Sequence, residues 1–186
     1  MSTQPFLDSS SLLNDGAALR ERAATEGYLF FKALLPIDDL TTVRRALLQV
    51  VGDFGWLAPG QDDLGGRIDL DRLNLVPESE MRTDIGVSMA AYHAIQKLEC
   101  VHRLPHHPQL LALFGELLDG PVLVHPRHII RMVTGHKSMV PTPPHQDFPL
   151  IQGTPATWTC WFPLSDCPRD HGGLTVLRGS NQAGYI

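Results

Sequence analysis

The chain has 186 residues, with 15 Lys and Arg against 20 Asp and Glu, for a formal charge of −5. That length suits one domain with a real hydrophobic core, and the acidic balance leaves no basic footprint for nucleic acid or an anionic membrane surface. No apolar run reaches the roughly 18 residues that span a bilayer, and three cysteines without a CxxC pair argue against a disulfide framework and for a reducing compartment.

Met1 to Ser11 is polar and lacks the basic start and apolar centre of a secretory signal, so the cytoplasm is the expected compartment and residues 1–14 an expected flexible N-terminus. Asp15 to Glu26 reads as a helix capped by Asn14 or Asp15 and ended by Gly27. Tyr28-Leu29-Phe30-Phe31 reads as a buried strand. After Pro36 a second helix is expected, with Asp38 and Asp39 where the helix dipole favours them and Leu40, Val43, Leu47, Val50 and Val51 at helical spacing.

Residues 52–86 are dense in Gly, Asp and Pro, and read as a loop region that covers an active site, since long irregular segments in compact domains are usually functional. Residues 87–103 read as one helix. Pro108 opens another that Asp119-Gly120 closes. Residues 122–124, 128–133, 156–162 and 174–177 read as strands. Helices first and strands last predict a β-rich core with helical cover.

The chemistry concentrates at Pro143-Pro144-His145-Gln146-Asp147. An imidazole and a carboxylate two residues apart on extended backbone point to one side. They make two thirds of the two-His, one-carboxylate site of non-haem Fe(II) oxygenases. Alone the motif is short, and a loop histidine beside an ordinary aspartate produces it too. His125, His128 and His136, and His102, His106 and His107, read as strand-end, loop or helix-capping residues rather than metal clusters, and His171 as a turn residue.

From Gly27 to Ile186 the chain resembles the phytanoyl-CoA dioxygenase family of Fe(II)- and 2-oxoglutarate-dependent oxygenases. The resemblance rests on the opening EGYLFFKALLP, the segment HPRHIIRMV, the motif PPHQD, and the stretch TWTCWFPLSDCPRDHGGLTVLRGSN. It implies a mainly β fold with helical cover, a double-stranded β-helix of the jelly-roll or cupin-like kind. His145 and Asp147 would bind Fe(II), 2-oxoglutarate would chelate the iron, and O2 would take the remaining position. Succinate and CO2 would leave as a small-molecule substrate is hydroxylated. Retention of a carboxylate at Asp147 implies hydroxylation rather than halogenation. Trp161 and Thr159 share one strand face and would line the 2-oxoglutarate pocket; a Trp filling the barrel core is the alternative. Arg131 shares a face with Arg127, and either contacts 2-oxoglutarate or an acidic substrate, or lies in solvent.

The family pattern places a second iron-binding His, and the Arg that pairs with the far carboxylate of 2-oxoglutarate, beyond Ile186. The 186 residues are therefore expected to form a single truncated oxygenase domain, its barrel incomplete at the C-terminal end. A non-catalytic ligand-binding module or inactive relative on the same barrel is the competing expectation, and a metal-dependent isomerase a weaker third. The oligomeric state and the substrate are not readable from the residues.

Overall fold

A computed structural model describes residues 3–184; Met1 and Ser2 of the expected N-terminal tail, and Tyr185 and Ile186 at the end of the family resemblance, lie outside the described residues. The architecture is an α-helical body followed, after Leu118, by a long and mostly irregular C-terminal segment. Helix α1 (Gly16–Glu26) starts where Asp15 accepts the Ala18 amide at 2.9 Å, and ends at Gly27, whose φ of 77° is the left-handed value glycine adopts freely. Helix α2 (Ile37–Asp53) follows Pro36 and buries Val43, Leu47 and Val51. Helix α3 (Leu70–Leu73) is one turn capped by Asp69.

Strands β1 (Met81–Arg82) and β2 (Val87–Ser88) form an antiparallel hairpin in which Met81 faces Ser88 and Arg82 faces Val87. Then come α4 (Met89–Ile95), α5 (Glu99–Arg103), α6 (Pro108–Leu118) and, after a long irregular stretch, α7 (Phe148–Ile151). The expected single helix over 87–103 is thus a short strand and two helices. The amides of Lys97 and Leu98 bond three residues back, tightening the chain into a turn that re-aims α5.

Two apolar clusters hold the body. Leu19 and Ala23 of α1 pack on Leu113 and Leu117 of α6. The larger cluster joins α2 to Leu73, the hairpin residues Ile85 and Val87, and Ala91, Ile95 and Val101 of α4 and α5. Within residues 1–14, Ser9 is fully buried and Asp8 bridges Phe30 in parallel. Tyr28 to Phe31, expected as a buried strand, is half-buried and makes only that bridge. Within 52–86, Trp56 is buried and Arg44 of α2 donates to the Leu64 carbonyl at 2.8 and 3.0 Å, tying the loop to the helix.

The structure corrects the expected mainly β barrel. Among the described residues the only sheet is the two-residue hairpin β1–β2. Residues 122–124, 128–133, 156–162 and 174–177 carry no strand pairing. The reason lies in what a strand is. Alternating or apolar sequence favours extended backbone, but a strand exists only when a neighbour about 4.8 Å away exchanges N–H and C=O groups with it. Here the segments meet the body through single bonds, such as Met132 N–H to Ile85 O at 2.8 Å and Gly179 N–H to Glu26 O at 2.9 Å. Residues 128–133 do keep period-two burial: His128, Ile130 and Met132 face inward, while Arg127, Ile129 and Arg131 are exposed. No helix among the described residues is long and apolar enough to cross a membrane.

Candidate metal centre

The motif His145-Gln146-Asp147 lies where the irregular stretch enters α7. Asp147 is the residue before the helix, and its carbonyl accepts the amides of Leu150 and Ile151 at 3.0 and 2.9 Å. An aspartate there would ordinarily turn its side chain back to cap the helix. Asp147 does not; Pro149 in the first turn brings no N–H, and the carboxylate swings toward His145 and Thr159 instead.

His145 is fixed by its own backbone neighbourhood. Its Nδ1 lies 2.8 Å from the Pro143 carbonyl, which can only accept, so Nδ1 carries the proton. In the neutral ring Nε2 is then a lone pair. It sits 3.2 Å from Asp147 Oδ1. The other carboxylate oxygen, Oδ2, accepts the Thr159 hydroxyl at 2.5 Å. The turn at 154–157, closed by Thr157 N–H and Oγ1 on the Thr154 carbonyl at 3.0 and 2.7 Å, brings Thr159 back beside Asp147.

This arrangement suits a cation. A bare imidazole nitrogen and a carboxylate oxygen are both ligands for Fe(II). Two adjacent donors on an octahedral ion with bonds of about 2.1 Å stand about 3 Å apart, close to the 3.2 Å seen between Nε2 and Oδ1. His145 and Asp147 are each about a third exposed, so the pair is reachable from solvent. Among the described residues no third His, Cys, Asp or Glu joins them.

The other sequence-selected residues lie differently. Trp161 is 47% exposed rather than filling a core. Arg131 is exposed and donates through Nη1 to Thr142 at 2.6 Å. It also lies near Asp84, whose carboxyl is held below the usual range chiefly by its hydrogen bond from Arg82, with Arg131 adding a smaller effect. Trp158 lines a cleft of about 250 Å³ with Arg20, Ala23, Gly27, Leu117 and Asn181; the cleft does not include His145 or Asp147. The Pro143 carbonyl is the site group that reading side chains alone misses; its signal is the fixed backbone that two consecutive prolines give the residues before the imidazole.

A second histidine group forms where the 128–133 segment meets the α4–α5 turn. His102 Nε2 faces the Gln96 carbonyl at 2.8 Å, so it carries the ring proton, and His102 Nδ1 must accept. His128 Nδ1, 3.0 Å away, therefore donates. His128 Nε2 is then a bare, buried acceptor with no hydrogen-bond partner among the described residues. Burial, and secondly His102 and His106 nearby, push the His128 imidazolium below its usual range. Gln96 Nε2 donates back to the His128 carbonyl at 3.1 Å and closes the ring, which ties the 128–133 segment to the α4–α5 turn. His107 caps α6, accepting the Gln109 amide at 3.2 Å.

The model of one family, phytanoyl-CoA dioxygenase (PhyH), matches residues 24–185, a span that contains the His145–Asp147 pair and Thr159. The chain belongs to the phytanoyl-CoA dioxygenase family. A relative within reach of direct comparison is a 1-deoxypentalenic acid 11-beta-hydroxylase of Streptomyces arenae, 27% identical over 183 residues, which cover 96% of this chain. The chain spans 59% of that relative's length. No solved structure matches significantly.

Proposed function

We propose that this PhyH-family chain carries the iron-binding pair of an Fe(II)- and 2-oxoglutarate-dependent oxygenase that hydroxylates a small molecule. The observation that carries the reading is the lone-pair nitrogen of His145 set 3.2 Å from the Asp147 carboxylate, within the residues that match the family. The similar 1-deoxypentalenic acid 11-beta-hydroxylase supports hydroxylation as the reaction type.

His145 and Asp147 would hold the iron. Bound iron, with 2-oxoglutarate and O2, supplies the oxidising power to hydroxylate a C–H bond, with succinate and CO2 as co-products. The chain's own part is positional. Pro143 sets the imidazole tautomer, and the two side chains present one nitrogen and one oxygen to the same point. Trp161 offers an indole on the stretch that carries Thr159, as a wall for the co-substrate. Arg131 has five N–H donors, of which Thr142 takes one, and so suits an anionic group of co-substrate or substrate. The loop region 52–86 is proposed as part of the cover over this site.

The test is turnover. Full-length protein with Fe(II), ascorbate and 2-oxoglutarate should form succinate when substrate is supplied, and Asp147→Ala should lower the rate by about 100-fold or more, as loss of a metal-holding group does. Equal succinate formation by the parent and Asp147→Ala would remove Asp147 from the chemistry and sink the proposal.

A further inference from the structure

We infer that Thr159 is a positioning residue that holds Asp147 as a one-oxygen ligand; the inference rests on the proposal that His145 and Asp147 bind the metal. The sequence resemblance assigns Thr159 to the 2-oxoglutarate pocket, but its hydroxyl is spent elsewhere. Oγ1 donates to Asp147 Oδ2 at 2.5 Å, within the range of a strong O–H···O⁻ bond. The remaining oxygen, Oδ1, is the one that faces the His145 lone pair.

The division of labour between the two oxygens has a chemical consequence. A carboxylate that binds through both oxygens occupies two positions around a cation. Engaging Oδ2 with a hydroxyl withdraws it, so Asp147 takes one position and leaves another for an incoming ligand. Since Asp147 does not cap α7, its own helix does not orient the carboxylate; Thr159 and His145 do. Outer partners of this kind orient ligands and typically change metal affinity about 10- to 100-fold when removed.

Co(II), a redox-silent stand-in for Fe(II), provides the probe. It is titrated calorimetrically into full-length parent, Thr159→Val, Thr159→Ser and Asp147→Ala, and 2-oxoglutarate is then titrated at saturating Co(II). Thr159→Val keeps shape and removes the donor. It should weaken Co(II) binding about 10- to 100-fold, with Thr159→Ser restoring the parent's affinity and 2-oxoglutarate binding at saturating metal unchanged. Thr159 is exposed, so the melting temperature should hold in both variants. Parent-like Co(II) affinity in Thr159→Val, alongside lost binding in Asp147→Ala, overturns the role of Thr159 and leaves the metal pair standing. Weakened 2-oxoglutarate binding with normal Co(II) affinity overturns it too, and makes Thr159 a co-substrate contact. Parent-like Co(II) affinity in Asp147→Ala overturns the underlying metal assignment instead.

Discussion

At the level of single residues the chemistry turns on lone pairs. A carbonyl opposite one imidazole nitrogen decides what the other can do, and this happens twice. Pro143 leaves His145 Nε2 free to bind, whereas Gln96 and His102 leave His128 Nε2 bare in a buried setting. The second case gives a pH prediction. In the folded chain His128 is held neutral, its protonation pushed below the ordinary value of 6.5 by burial and by His102 and His106. The unfolded chain takes up the proton near that ordinary value. Below it the unfolded state binds more protons, so stability is complete above about pH 6.5 and falls as the pH drops toward the folded value. His102, His106 and His125 are the titratable groups acting on this ring, and positive charge on them disfavours its imidazolium form. Urea midpoints should hold between about pH 8 and pH 7 and decline below about pH 6. His128→Gln should show a shallower decline; an identical decline in both proteins would remove His128 from the cause. The pairing of His145 with Asp147 was readable at this scale from their spacing of two; the approach of Thr159 was not, because it was read on a strand that does not form. That the Thr159 hydroxyl is spent on Asp147 was not legible, because it depends on the turn at 154–157 that folds the chain back.

At the scale of elements, local rules worked where structure is local. The ends of α1 follow from Asp15 and Gly27, and those of α6 from Pro108 and Asp119, whose φ of 52° closes the helix. The strands were not legible in this sense, because pairing needs a partner that no local pattern supplies. The hairpin β1–β2 shows what a partner does: its turn residue Gly86 has φ of 92°, and a Cβ there would stand 1.9 Å from the Met132 carbonyl. Gly86→Ala therefore combines backbone strain with a backbone clash. It should destabilise the chain by about 2 kcal/mol or more, read from denaturant midpoints. A loss under about 0.5 kcal/mol would show that the hairpin and the 128–133 segment separate readily. Deletion inside the helical core follows a different rule: Leu19, fully buried between α1 and α6, should cost about 2–5 kcal/mol as Leu19→Ala.

At the scale of the whole molecule, a helical body holds the long segment after Leu118 by few anchors. Arg178 pairs with the buried Glu26, its Nη2 2.6 Å from Oε1, and Asn181 donates to the Ala24 carbonyl at 2.9 Å, pinning the last turn to α1. Between anchors the amides carry no ladder. Hydrogen exchange should therefore be slow in α1, α2 and α6 and fast over 156–163 and 173–177, and Arg178→Ala should speed exchange over 177–183. Uniform protection across 156–163 and 173–177 would mean that those segments are paired as strands. Exposed Trp158, Trp161, Leu174 and Val176 lie on these same stretches, outside the buried helical core. The helical body was thus legible in chain order, while the arrangement of the segment after Leu118 depends on contacts spread over more than a hundred residues of separation. The central claim is that His145 and Asp147 jointly hold Fe(II). Anaerobic calorimetric titration of Fe(II) into full-length protein with 2-oxoglutarate present tests it most directly. One saturable site is expected, abolished by both His145→Ala and Asp147→Ala; binding that survives either substitution with unchanged affinity would rule out joint coordination by the two side chains.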